Sequence, residues 1–243
     1  MRYIDRKIKE PNLNLEKEHS RKNQYNYFIG IDEVGRGSLA GPIVACSCWI
    51  NPKNFTELPD EINDSKTLTK VKRNQIYNKT QNLTLRGIAI ASSNEIEKYG
   101  LVYSNNLAIN RSLHCLLKNM VSNYQLKEKL NFLVYLDGNT IPDFEILKKK
   151  KSNLLTLPDY IIKSKIKGDK RILSISLASI IAKVTRDTIM INYDKKYPEY
   201  NFSRNKGYGT KDHMNKIDKL GICNIHRKNF KPMSTTFSQS IKY

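Results

Sequence analysis

Apolar residues in this chain come first as three short runs and only later as long helical stripes. The runs "YFIGID" (27–32), "PIVACSCWI" (42–50) and "LTLRGIAIAS" (83–92) have the length and residue types of strands. "SNNLAINRSLHCLLKNMVSNY" (104–124) then places Leu107, Leu113 and Leu117 at helical spacing. "FLVYLDGN" (132–139) and "LPDYIIKSKIKGD" (157–169) supply a fourth and a fifth strand, the last ending near Asp169. A long helix follows over 173–196, with small residues on one face for close packing. Three strands in succession, then strand–helix alternation, imply an α/β fold: a mixed sheet with helices on its faces.

Shorter signals fill in the rest. A helix is expected from near Thr69, a capped helical turn ends at Gly100, and "NKGYGT" leads into an amphipathic helix capped by Thr210. No repeats occur. Residues 1–24 read as a solvated polar extension, 25–200 as the main domain, and 201–243 as a C-terminal helical segment and tail. "KKKK" (148–151) is most simply a solvated loop. Cys46 and Cys48 share one face of a strand as small apolar fillers. Cys223 and His226 form an isolated C-x-x-H with no second pair at zinc-site spacing.

Charge indicates the partner. The 42 Lys and Arg against 23 Asp and Glu give a net charge of +19, so a nucleic-acid polyanion is the leading ligand. A Lys- and Asn-rich composition accounts for part of that excess. No apolar run approaches the roughly 20 residues of a membrane helix, and the acid-containing N-terminus resembles neither a secretory signal nor a transit peptide. A soluble, cytoplasmic, monomeric protein without membrane contact is expected.

Against this basic background, Asp32 and Glu33 end an apolar strand and are followed by Gly35-Arg36-Gly37. Adjacent acids within a strand point to opposite faces. The glycine turn is expected to interrupt the alternation at Glu33, so that both carboxylates reach one centre. Asp137 and Asp169 also stand at expected strand ends, each beside a glycine, where open α/β sheets build sites. Taken singly, Asp137 is as simply an Asx turn and Asp169 a loop cap. Asp187 reads as a helix-side ion pair. Together the four acids would repel unless cations lie among them, and carboxylates without nearby His or Cys suit Mg²⁺ or Mn²⁺.

These segments together resemble a known family. "GIDEVGRGSLAGPIVA", "NDSKTLT", "NNLAINRSL", "LDGN", "KGD…SISLASIIAKVTRD" and "NKGYGTKDH" are similar, in order, to the blocks of bacterial ribonuclease HII, a type 2 ribonuclease H. The resemblance implies a ribonuclease H-like mixed β-sheet flanked by helices, with a small C-terminal helical segment. It also implies hydrolysis of RNA in RNA–DNA hybrids and incision 5′ of single ribonucleotides in duplex DNA, leaving 5′-phosphate and 3′-hydroxyl ends. By motif, Asp32, Glu33, Asp137 and Asp169 become the catalytic set, the first three holding two Mn²⁺ or Mg²⁺ ions. The stretch between "LDGN" and "KGD" is longer than is usual in the family. Lys170 and Leu177 stand where smaller residues are common.

The substrate side follows in the same way. Gly35 and Gly37 would let backbone approach the 2′-hydroxyl, which is both donor and acceptor. Arg36 would brace the loop or grip a phosphate. Lys66 would meet a phosphate near the scissile bond. Tyr208 resembles the family tyrosine that packs on the ribose at the RNA-to-DNA junction. Arg227, Lys228 and Lys231 would extend the duplex contact. Two other readings stay open: a resolvase-like DNA endonuclease on the same sheet, and an inactive nucleic-acid-binding protein.

Overall fold

The computed structural model describes residues 10–21, 27–124, 131–142 and 160–231. The "KKKK" segment, the longer stretch containing it and the last residues of the tail lie outside these. Five strands form one sheet in the order β3-β2-β1-β4-β5. They are β1 (Tyr27–Val34), β2 (Ile43–Ile50), β3 (Thr84–Ala91), β4 (Phe132–Asp137) and β5 (Tyr160–Lys165). β1 to β3 pair antiparallel, whereas β4 lies parallel to β1 and β5 parallel to β4. The mixed sheet expected from the element order is therefore present.

Each face carries one long helix. α4 (Leu101–Tyr124) covers Ile29, Ile31, Ala45 and Trp49 with Leu113 and Leu116. α5 (Leu173–Lys196) covers the other face, where Leu177, Ala178 and Ile181 meet Cys46 and Cys48. The smaller helices are α1 (Asn14–Arg21), α2 (Lys70–Lys79), α3 (Ser93–Tyr99), α6 (Phe202–Asn205) and α7 (Lys211–Leu220). Their ends follow local chemistry. The Thr69 hydroxyl caps α2, Ser92 and Glu95 close a capping box on α3, and Thr210 caps α7. Among the described residues no helix is long and apolar enough to cross a membrane.

Residues 10–21 differ from the solvated extension expected of them. Leu13 and Leu15 of this segment pack on the core, and Glu16 is buried.

Two buried histidines tie the C-terminal segment together internally. The Cys223 N–H donates to His226 Nδ1 (2.9 Å), and the His226 and His213 Nε2 atoms lie 3.1 Å apart. With that acceptor fixed, His226 Nε2–H donates to His213, and His213 Nδ1–H donates to the Tyr208 carbonyl (3.0 Å). Both rings are then neutral. Burial first, and His213 second, push His226 down to about 4. A histidine lowered in the folded state stabilises fully above its unfolded pKa, and that stability is lost as pH falls toward the folded value. Roughly 3 kcal/mol should vanish between about pH 6.5 and 4. Guanidinium unfolding of the wild type against His226→Gln across that window checks this, because the difference between them should shrink as acid is added.

Candidate active site

Asp32, Glu33 and Asp137 feel one another's charge where β1 and β4 diverge, and Asp169 feels that of Asp137. β1 pairs with β4 only through Ile31↔Leu136, but with β2 through Val34↔Val44. Alternation therefore does not stop at Glu33, contrary to the sequence expectation. Asp32 shares the face of Phe28, which packs on α5, while Glu33 shares the face of Ile29 and Ile31, under α4. The two carboxylates straddle the end of the parallel pairing, and both feel the charge of Asp137 at the last residue of β4. Asp169 also departs from expectation. β5 ends at Lys165, and Asp169 sits beyond it in a 3₁₀ turn, Gly168–Lys170, entered through left-handed Lys167 (φ 55°). The Gly168 N–H donates to Asp137 Oδ1 (2.7 Å), which ties that turn to β4.

Burial dominates the electrostatics. It raises the Asp32 carboxyl well above the ordinary range, helped by the charges of Glu33 and Asp137, against hydrogen bonds from Ser179 and the Glu33 N–H. Glu33 is raised by burial, against the opposing pull of Arg36 and an Asn105 hydrogen bond. Asp169 is raised by burial and by the charges of Asp137 and Asp64. Among the described residues no three carboxylate, imidazole or thiol groups close on a common point, so the ion-free arrangement is a cluster of acids rather than a finished cage. The donor set nonetheless fits hard divalent cations. It is all oxygen, Asp32 and Asp169 are buried, and Asp32, Glu33 and Asp169 are raised by burial and by neighbouring carboxylates, which added positive charge would reverse.

Beside the acids, two buried arginines hold the loop that follows β1. Arg227 Nη2 donates to the carbonyls of Gly35 (2.7 Å) and Gly41 (2.8 Å), and its Nη1 to Arg36 (2.8 Å). Arg186, on α5, donates to the carbonyls of Pro42, Ala40 and Lys206 and to Ser38 Oγ. Both are 0% exposed. The expected duplex contact by Arg227 is thus replaced by an internal one, because the backbone carbonyls it meets lie under the loop. Lys228 pairs with Glu97 at 3.4 Å. Arg36 is 55% exposed and reaches Glu33 Oε1 at 3.3 Å. Lys66 is 83% exposed, with its Nζ 4.0 Å from Asp169 Oδ2.

Arg186 also joins this loop to Tyr208. The Arg186 guanidinium lies 5.3 Å from the Tyr208 ring centre, and the Gly207 carbonyl accepts from the Leu39 N–H (2.7 Å). Tyr208 is half-buried rather than open on both sides.

The two loop glycines differ in cause. A Cβ on Gly35 would fall 2.3 Å from Arg186 Nε, at φ +96°, so the fold itself demands glycine there. A Cβ on Gly37 would meet nothing within 4 Å, and its φ is not left-handed. Gly37→Ala is therefore expected to melt like the wild type, within about 1 kcal/mol. If an outside partner approaches that backbone, the same variant loses cleavage by about 10²-fold. Parallel melting curves and cleavage assays test both halves.

Comparison with known proteins now decides the family. The family model for ribonuclease HII matches residues 29–233. The chain belongs to the ribonuclease HII family. It is 37% identical over 227 residues to ribonuclease HII of Wolbachia pipientis wMel, covering 93% of this chain and 98% of that one. Its fold is similar to the ribonuclease H2 crystal structure from Pyrococcus horikoshii OT3 (TM-score 0.65, 24% identity, 89% of this chain and 100% of that one). It is also similar to Bst-RNase HIII in complex with Mn²⁺ (TM-score 0.64, 15% identity, 89% and 71%). The chain is accordingly a ribonuclease H, an endonuclease acting on RNA–DNA hybrids.

Within this ribonuclease HII, several polar residues at the site went unread in the sequence. Asp64 is buried, accepts from the Lys66 N–H (2.9 Å) and pairs with Lys170 at 3.2 Å. Its signal in the sequence is its place in "NDSK", two residues before Lys66. Ser179, one of the small residues of α5, links Ser65 (2.8 Å) to Asp32. Asn105 reaches Glu33 from the first turns of α4. A polar residue on the buried stripe of an otherwise apolar helix is the usable sign for both. Asp187, read as a helix-side pair, bonds Lys183 at 2.7 Å.

Proposed function

We propose that this ribonuclease also incises duplex DNA 5′ of a single embedded ribonucleotide, with two divalent ions held by Asp32, Glu33 and Asp137 and the set completed by Asp169. Bound there, Mg²⁺ or Mn²⁺ supplies charge neutralisation, activation of water and stabilisation of the leaving oxygen. The all-oxygen acid set, in which Asp32, Glu33 and Asp169 are raised by burial and nearby charge, supports this, and Bst-RNase HIII, of similar fold, is crystallised in complex with Mn²⁺.

The chain's own residues do the positioning. Ser179 and Asn105 orient Asp32 and Glu33 from opposite faces of the sheet. Asp137 Oδ1 holds the Gly168 N–H and so keeps the Asp169 turn against β4. Arg36 and Lys66, both exposed beside an acid, are placed to meet substrate phosphates. Arg227 takes up the carbonyls of Gly35 and Arg36, which leaves Gly37 as the open point of the turn for a 2′-hydroxyl. The observation that carries the reading of a single ribonucleotide is that one side chain, Arg186, braces both Ser38, the residue next to this open glycine, and Tyr208.

One gel tests it: duplex DNA with a single ribonucleotide, an RNA–DNA hybrid and an all-DNA duplex, each with Mg²⁺, Mn²⁺ or EDTA. Cutting 5′ of the ribonucleotide, abolished by EDTA, is expected. Equal cutting of the all-DNA duplex would instead fit a resolvase. In the same assay Tyr208→Ala should weaken single-ribonucleotide incision about 10-fold more than hybrid cleavage, on the scale of one lost stacking contact. Equal losses on both substrates would remove the junction-reading role.

A further inference from the structure

The segment preceding the family match is bonded to the chain just beyond Asp169. Asn12 forms a parallel bridge with Ile172: its N–H donates to the Arg171 carbonyl (3.3 Å), and its carbonyl accepts from the Leu173 N–H (3.2 Å). Leu15 then packs with Ile172 and Ile175. One helical turn into α1, Glu16 Oε1 accepts from both the Ser174 N–H (3.0 Å) and the Ser174 hydroxyl (2.9 Å).

This contact does work that the local sequence leaves undone. The first N–H groups of a helix have no partner inside it, and a Ser, Thr, Asp or Asn at the cap normally supplies one. The cap residue of α5 is Ile172, which is buried in the core and has no side-chain acceptor. Glu16, 158 positions away, provides the missing acceptor together with a negative charge at the helix N-terminus. The site is built to admit it. A Cβ on Gly30 would fall 2.7 Å from Ser174 Oγ, so only glycine in β1 lets this first turn settle on the sheet two residues before Asp32.

Asp169 lies between two anchors. On one side Asp137 holds Gly168. On the other, the N–H groups of Arg171 and Ile172 fold back onto the Gly168 carbonyl (3.0 and 2.8 Å), within the stretch that Asn12 and Glu16 grip. Glu16 is 3% exposed, burial raises its carboxyl, and Oε2 bonds no group among the described residues. A buried carboxylate with one oxygen unsatisfied opposes folding, a cost that the two Ser174 bonds and the helix N-terminus offset.

We propose that Glu16 is a positioning residue for Asp169, fixing through Ser174 the junction of the Asp169 turn with α5. The proposal rests on Asp169 belonging to the working acid set. The full-length variants Glu16→Ala, Glu16→Gln, Ser174→Ala and Asp169→Asn test it by amide hydrogen exchange without added metal and by hybrid cleavage with Mn²⁺.

Glu16→Ala should speed exchange about 10-fold at residues 171–174 but not in β1 to β3. It should also lower kcat about 10-fold with KM within about twofold, since misplacing a reacting group acts on the chemical step. Glu16→Gln, which keeps one oxygen for Ser174, should recover kcat to within about threefold. Should Glu16→Ala not fold, Ser174→Ala, which removes only the hydroxyl bond, should show the same local pattern at about threefold. Exchange quickened evenly over the whole sheet overturns the proposal. Loss of kcat in Asp169→Asn with kcat retained in Glu16→Ala overturns positioning alone. Undiminished kcat in Asp169→Asn overturns the role of Asp169, and the positioning with it.

Discussion

Arg227→Met is expected to lower stability by about 2–4 kcal/mol and hybrid cleavage by about 10²-fold, although Arg227 touches none of the acids. The reasoning begins with its bonds. Its guanidinium is the shared donor for the carbonyls of Gly35, Arg36 and Gly41, all within one loop. Methionine keeps the apolar stem of the side chain but offers no donor, so buried acceptors lose their partner at about 1–3 kcal/mol each. Gly35 is partly spared, because Ser38 Oγ also donates to it at 2.9 Å. A return offsets some of the loss. Burial, and then the like charge of Arg186, push the Arg227 guanidinium down to about 9, and both penalties disappear with the charge.

Arg227→Lys should not rescue the variant. One ammonium cannot span carbonyls that a planar fork reaches together, and a buried lysine sheds its proton readily. Chemical denaturation and initial cleavage rates check both variants. A fully active Arg227→Lys would show that the loop needs charge there rather than the fork.

The contrast between Arg227 and α5 shows what could be read in advance. α5 was legible to the residue, because its apolar and small positions recur at helical spacing and it ends at "KK" before Tyr197-Pro198. Arg227 was not legible. Its partners are backbone carbonyls near residue 36, which no residue type advertises, so it read as one more cation in a basic tail. The acids fall between these cases. Their identities could be taken from motif blocks, and the raised pKa values of Asp32, Glu33 and Asp169 follow first from burial and then from neighbouring carboxylates. Their directions could not, because whether β1 continues past Asp32 depends on how far β2 runs beside it. Asp169 shows the same dependence, since β5 stops with β4 at the pair Asp137↔Lys165 and leaves the acid to a turn. The docking of residues 10–21 was hidden for a simpler reason. A short polar helix shows no apolar run, and its attachments are single leucines, a backbone bridge and one buried glutamate.

Asp32→Asn is expected to abolish cleavage while making the ion-free protein more stable. Asparagine has nearly the shape of aspartate and can still accept from the Glu33 N–H, which meets Asp32 Oδ1 at 2.8 Å. What it lacks is the charge that burial, Glu33 and Asp137 all oppose. The sign follows by linkage. An acid raised in the folded state contributes stability that is complete below its unfolded pKa and is lost as pH rises through the folded value. For Asp32, Glu33 and Asp169 that loss begins above the ordinary carboxylate range, near about pH 4, and is in force at neutral pH. Removing one member should return about 0.5–2 kcal/mol in EDTA at neutral pH. The gain should shrink toward acid, where the wild-type carboxyl is protonated anyway. Saturating Mn²⁺ should invert the order, because the wild type then gains binding energy that the variant has lost. Cleavage should fall by at least about 10³-fold, since the neutral amide supplies no anionic oxygen to a divalent ion. Melting curves in EDTA and in Mn²⁺, at acid and neutral pH, make the test. A variant less stable than the wild type in EDTA would mean that the hydrogen bonds of Asp32 outweigh its repulsion, and that the cluster is held together without ions.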